Sequence, residues 1–159
     1  MIVIKMEPNK ENITILWLDD MRNPLTYFNK TGKAAQSGAF IRNNKYYSNV
    51  FNKYKPNFVW VKNIQEFTNY TKTHGLPDLV SFDHDLGVGL EKGAVCANWL
   101  VDYCKKTNQQ LPKCYAHSAN PNGIREINQI LGLSESKAIR ITKDKLTEMI
   151  YNSITKFLF

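Results

Sequence analysis

Cysteine is scarce in this sequence and poorly placed for cross-linking. Cys96, Cys104 and Cys114 make an odd number with no C-x-x-C pair. That excludes a disulfide framework or a zinc knuckle and leaves buried thiols in a reducing cytoplasm. No stretch of 18 apolar residues occurs, so no membrane-spanning helix is expected. The opening segment MIVIKMEPNKEN has too short an apolar patch and too acidic a continuation for a secretory signal. Internal repeats and low-complexity linkers are also missing, so residues 1–159 are read as one domain.

The most informative absence is of acid. Between Met21 and Asn57 there is no Asp or Glu, while Arg22, Lys30, Lys33, Arg42, Lys45, Lys53 and Lys55 are present. These cations match the whole formal excess of +7. Tyr27, Phe28, Phe40, Tyr46, Tyr47, Phe51 and Tyr54 are interleaved with them. Cations among flat rings suit a polyanion that carries bases, meaning a nucleotide or a nucleic acid. The alternative is a solvated basic surface with the aromatics packed beneath it. Connections this long usually act as lids or binding loops. Residues 21–57 are therefore read as a basic aromatic insertion, helical in part over Asn43 to Tyr54.

Outside that segment, short apolar runs alternate with helical patterns. ITILWL (13–18), NFVWV (57–61), DLVSF (78–82), KCYAH (113–117) and KAIRIT (137–142) read as strands buried on both faces. Ile64 to Thr73, Lys92 to Lys106, Gly123 to Leu131 and Lys143 to Leu158 read as helices. In the second of these, Val95, Trp99, Leu100, Tyr103 and Cys104 form an apolar stripe. Gly132 is placed to stop the third. Strands alternating with helices predict an α/β fold, a doubly wound five-stranded parallel sheet that binds ligands at the carboxyl ends of its strands.

Those ends are chemically loaded. LWLDDMRNP (16–24) closes the first strand, VSFDHDLG (80–87) the third and CYAHSANPNG (114–123) the fourth. If the first and third strands are neighbours, Asp19, Asp20 and Asp83 converge, and three carboxylates repel unless a cation joins them. An oxygen-only ligand set favours Mg²⁺ or Mn²⁺. For any one of these acids, a turn or cap role is the alternative. His84 and His117 can serve as base and acid in an in-line displacement at phosphorus, with Asp85 fixing a tautomer. Either histidine alone can instead be a hydrogen-bonded structural residue. Arg22 and Arg125 are placed to neutralise phosphate charge, and Ser118 and Asn120 lie at the same rim. Free N–H groups in the turn 120–123 can hold a phosphate oxygen. Lys143, just past the fifth strand, is set beside them, with a plain solvent lysine as the alternative.

The paired acids of the first strand end, Asp83, Ser118 and Lys143 together resemble the response-regulator receiver domain. That resemblance implies strand order 2-1-3-4-5 and Mg²⁺ held by the three acids, with Asp83 as a phospho-acceptor. Receivers do not typically carry His84-Asp85 or an H-S-x-N-P turn. The combination L-D-D-x-R-x-P (18–24), F-D-H-D-L-G (82–87) and H-S-x-N-P-x-G (117–123) is similar instead to the cyclic-phosphate processing family derived from receivers. It implies metal-dependent hydrolysis of an RNA 2′,3′-cyclic end or a cyclic nucleotide. The family occurs in phage and bacterial genomes, so a counter-defence role in a host cytoplasm is one expectation. Sequestration of a cyclic nucleotide without catalysis, a phospho-accepting receiver, and a nucleic-acid binding module are the other readings.

Overall fold

The stretch TILWL places four buried side chains in succession, a pattern that only a strand covered on both faces can satisfy. It forms β1, Thr14–Leu18. The computed structural model describes residues 13–24 and 57–133. After β1 come β2 (Asn57–Val61), α1 (Ile64–His74), β3 (Leu79–Phe82), α2 (Gly93–Thr107), β4 (Lys113–Ala116) and α3 (Pro121–Ile130). The strands form one parallel sheet in the order β2-β1-β3-β4. This is the expected receiver-like α/β arrangement over its first four strands. The fifth strand at 137–142, the helix at 143–158, Lys143 and residues 25–56 of the basic insertion lie outside the described residues.

Local chemistry sets the helix starts. Asn63 caps α1 by accepting from the Glu66 amide at 2.9 Å, and the Glu66 carboxylate accepts in return from the Lys62 amide at 2.9 Å. Asn120 caps α3 with Pro121 in its first turn, so α3 begins two residues before the glycine from which it was expected to start. Gly132 follows α3 at φ 68°, the predicted stop.

The core lies between the sheet and the helices. Phe67 of α1 is fully buried and packs against Phe82 at 5.7 Å and edge-on to Trp99 at 6.1 Å. Burial of such a side chain stabilises the fold by about 2–3 kcal/mol. In α2 the buried face is Gly93, Ala94, Cys96, Ala97, Leu100 and Cys104. Val95, expected on the apolar stripe, is exposed instead. Gly93 lies against the Asp83 carbonyl with no space for a side chain, and the face that runs from it is the buried one, which leaves Val95 outside. Among the described residues no helix is long and apolar enough to cross a membrane.

Candidate active site at the strand rim

Strand register builds the site. Leu18 pairs with Phe82 and Phe82 with Ala116, so the next rung is Asp19, Asp83 and His117. Backbone bonds extend the ladder to that rung: Asp83 donates to the Leu18 carbonyl at 2.8 Å and His117 to the Phe82 carbonyl at 2.7 Å. Neighbouring strands stand about 4.8 Å apart, and residues on one rung face the same side. Side chains two residues earlier share that face, which places Trp17 and Ser81 directly beneath.

His117 is held from three directions. Its Nδ1 is 2.7 Å from Ser81 Oγ, its Nε2 is 3.0 Å from Asp19 Oδ2, and its ring stacks on Trp17 at 4.2 Å. A carboxylate only accepts, so Nε2 carries the proton and Nδ1 accepts from the Ser81 hydroxyl. Burial pushes the imidazole below its ordinary range, although Asp19 and Asp83 pull it up. A neutral ring with its N–H on Asp19 satisfies both facts. Both ring nitrogens therefore serve the interior, and the ring's direct effect is to fix Asp19.

Asp19 is fully buried at the end of β1. Its Oδ1 accepts from the Met21 and Arg22 amides at 3.0 and 2.7 Å, closing a turn that brings the Arg22 side chain back over the sheet. Arg22 Nε then donates to Asp19 Oδ2 and Nη2 to Asp83 Oδ2, both at 2.6 Å. Two indoles brace the turn: Trp17 Nε1 donates to the Arg22 carbonyl and Trp60 Nε1 to the Asp19 carbonyl. Burial alone would raise the Asp19 carboxyl, but the His117 bond and the Arg22 and Met21 amides outweigh it and hold it below the usual range. Asp83 goes the other way. Burial raises its carboxyl, and the Arg22 guanidinium beside it only partly offsets this. Arg22 itself is lifted above its ordinary value, because Asp83 and Asp19 outweigh its desolvation.

Asp19, Asp20 and Asp83 each present an oxygen within 4.8 Å of the others, with Asp20 half-buried. Hard oxygens in this number fit a Mg²⁺- or Mn²⁺-sized ion. The Arg22 guanidinium already lies against two of the three acids.

His84 forms a second centre. The ring is buried, with Nδ1 2.9 Å from Asp85 and Nε2 2.8 Å from Glu126 of α3. Each ring nitrogen thus faces a carboxylate oxygen, so the ring is held between two acidic side chains. The His84 bond is the chief cause that holds the Asp85 carboxyl below its ordinary range. A side chain at Gly123 would overlap the His84 ring, and one at Gly93 would overlap the Asp83 carbonyl, so both helices approach the rim at glycine.

The remaining candidates divide. Ser118 is buried at the rim, its Oγ accepting from the Asn120 amide at 3.2 Å. Asn120 Oδ1 accepts from the Asn122 and Gly123 amides at 3.1 Å each. The turn amides expected to be free for a phosphate are thus taken by the cap. Arg125 is exposed on α3 and donates to Asn122 at 3.2 Å. Arg22, expected to face substrate, faces Asp19 and Asp83. Glu126, Ser81 and Trp17 were not among the candidates. Register and the two-residue period mark Ser81 and Trp17, whereas nothing local marks Glu126.

Acids and a histidine at the carboxyl rim of a parallel sheet ordered 2-1-3-4 define a receiver-like α/β domain. The sequence profile of the cyclic-phosphate processing receiver domain matches residues 14–132, and the chain belongs to that family. Among solved structures, a fusion containing amino acids 181–211 of the yeast Spc42 trimeric coiled coil is similar over 92% of this chain and 80% of that chain, with 16% identity and TM-score 0.50. That likeness is one of fold. A co-crystal structure of the Saccharomyces cerevisiae histidine phosphotransfer signaling protein Ypd1 with the receiver domain of its response regulator Ssk1 is similar over 77% of this chain and 75% of that chain, with 23% identity and TM-score 0.46. A comparison with curated proteins gives no match.

Proposed function

We propose that this domain hydrolyses a cyclic phosphate, either an RNA 2′,3′-cyclic end or a cyclic nucleotide, at the rim of β1, β3 and β4. One observation supports this most: both signs of charge are assembled on adjacent strand ends, with Asp19 and Asp83 bridged by Arg22 and backed by His117. Asp19, Asp20 and Asp83 would hold Mg²⁺ or Mn²⁺, which when bound polarises phosphoryl oxygens. Ser118 keeps its hydroxyl proton for a phosphate oxygen. His84 lies behind the exposed Asp85 and Glu126, so protons move between it and the substrate through those carboxylates. His117 acts as a positioning residue for Asp19.

The test is incubation with 2′,3′-cyclic mononucleotides, 3′,5′-cyclic nucleotides and cyclic dinucleotides, with Mg²⁺, Mn²⁺ or EDTA, followed by chromatography. Ring opening that is lost in EDTA and in Asp83→Asn supports the reading, and an unopened panel overturns it. A second reading, sequestration without turnover, is favoured by one observation: every ring nitrogen of His84 and His117 already has a protein partner. Intact ligand recovered from the denatured complex would establish it.

A further inference from the structure

The bridge between Asp19 and Asp83 uses the atoms that a metal would need. Asp19 Oδ1 is committed to the Met21 and Arg22 amides, and Asp83 Oδ1 to the His84 amide at 2.8 Å. Arg22 holds both Oδ2 atoms, and that of Asp19 also accepts from His117 Nε2, which leaves that oxygen one lone pair for Arg22 or an ion. One guanidinium against three carboxylates also leaves the cluster with an excess of negative charge.

We propose that Arg22 is the resident cation of this cluster and that a divalent ion displaces its side chain, which then turns to the substrate's phosphate. This inference rests on the reading of the rim as a phosphate site. The backbone of Arg22 is pinned, its amide by Asp19 and its carbonyl by Trp17, so exchange involves the side chain alone. The side chain is 35% exposed, which gives it a path outward. A planar guanidinium pairs with phosphate through two parallel N–H bonds, so the displaced group suits the anion arriving beside it. Before the ion enters, Arg22 keeps two buried acids from facing each other unpaired, and the site stays assembled.

Competition predicts that Arg22→Gln binds Mn²⁺ about tenfold more tightly than the wild type, an ordinary size for linkage between competing ligands. Calorimetry gives the affinity. Tryptophan fluorescence reports it independently, because Trp17 and Trp60 bond the turn that carries Arg22. Equal or weaker binding by the variant, or no binding by either protein, overturns the proposal. Should Arg22→Gln fail to fold, the wild type carries the test. In ¹⁵N NMR the Arg22 Nε–H signal should shift and lose its protection from exchange as Mg²⁺ saturates. A signal unchanged at saturation overturns the proposal. Both measurements read cation binding and not turnover, so an inactive panel of cyclic phosphates leaves the outcome distinguishable.

Discussion

Gly123 and His84 fit together without space for a methyl group: a β-carbon on the helix residue would overlap the imidazole ring. Helix propensity alone favours alanine over glycine by roughly 0.5–1 kcal/mol. Overpacking against a buried ring costs about 1–3 kcal/mol, and it dominates here. Gly123→Ala should therefore lower stability in urea and shift the His84 ring resonances in NMR. A more stable variant with unmoved resonances would show that α3 has room to retreat.

Asp19 and Asp83 should respond differently to loss of charge. The interior stabilises the Asp19 carboxylate, whereas burial works against the Asp83 carboxylate. Asp19→Asn is expected to cost about 2 kcal/mol and Asp83→Asn less than about 1 kcal/mol. Urea midpoints with EDTA present would rank them. Cyclic-phosphate hydrolysis should be lost in both.

His117 gives the fold a pH dependence of definite sign. Its native pKa is lowered, so as pH falls below about 6.5 the unfolded chain takes up a proton that the folded chain refuses. This contribution to stability is complete above that pH and is lost as pH falls toward the native value, with a slope of at most about 1.4 kcal/mol per pH unit. In EDTA, thermal melts of the wild type minus those of His117→Gln should show this slope between pH 7.5 and 5. A flat difference would place the proton elsewhere.

Glu126 is expected to matter to rate through His84. Glu126→Ala leaves Nε2 without its acceptor, and hydrolysis should fall at least about tenfold in kcat with little change in KM. Glu126→Gln keeps an acceptor oxygen, so it should recover part of the rate that Glu126→Ala loses. Equal rates in all three proteins would reduce Glu126 to a surface contact.

The thiols should be inert in the folded protein. Burial pushes Cys96 and Cys114 up to about 12, and Cys104 is raised as well. A thiol reagent such as DTNB at pH 8 should label none of them rapidly until denaturant is added. Prompt labelling of one thiol would reveal local opening of its element.

Much of this architecture was legible in residue order. The runs at 13–18, 57–61, 78–82 and 113–117 mark four strands to within a residue, although only β1 and β3 are buried on both faces as expected; β2 is half-exposed and β4 alternates. The convergence of Asp19, Asp20 and Asp83 was legible too, since it requires only that β1 and β3 be neighbours. What pairs with what was less so. Arg22 was expected to wait for a phosphate, but a turn closed by Asp19 folds it back onto the acids. Asn120 was expected at the substrate and instead caps its own helix. Glu126 is one exposed acid on a polar helix face, and its link to His84 spans 42 residues. Val95 matched the helical stripe, yet the buried face of α2 runs through Gly93, Ala94, Ala97, Leu100 and Cys104 and leaves it outside.

The acids continue hydrogen-bonded strands, so their separation is fixed by the repeat of the sheet and not by loop conformation. Asp19 and Asp83 sit on one rung as surely as Leu18 and Phe82 do on the rung below. A single-residue deletion within β3 would turn Asp83 to the opposite face and dismantle the cluster while leaving all three carboxylates in the chain. The sheet thus works as a fixed gauge for the spacing of these carboxylates.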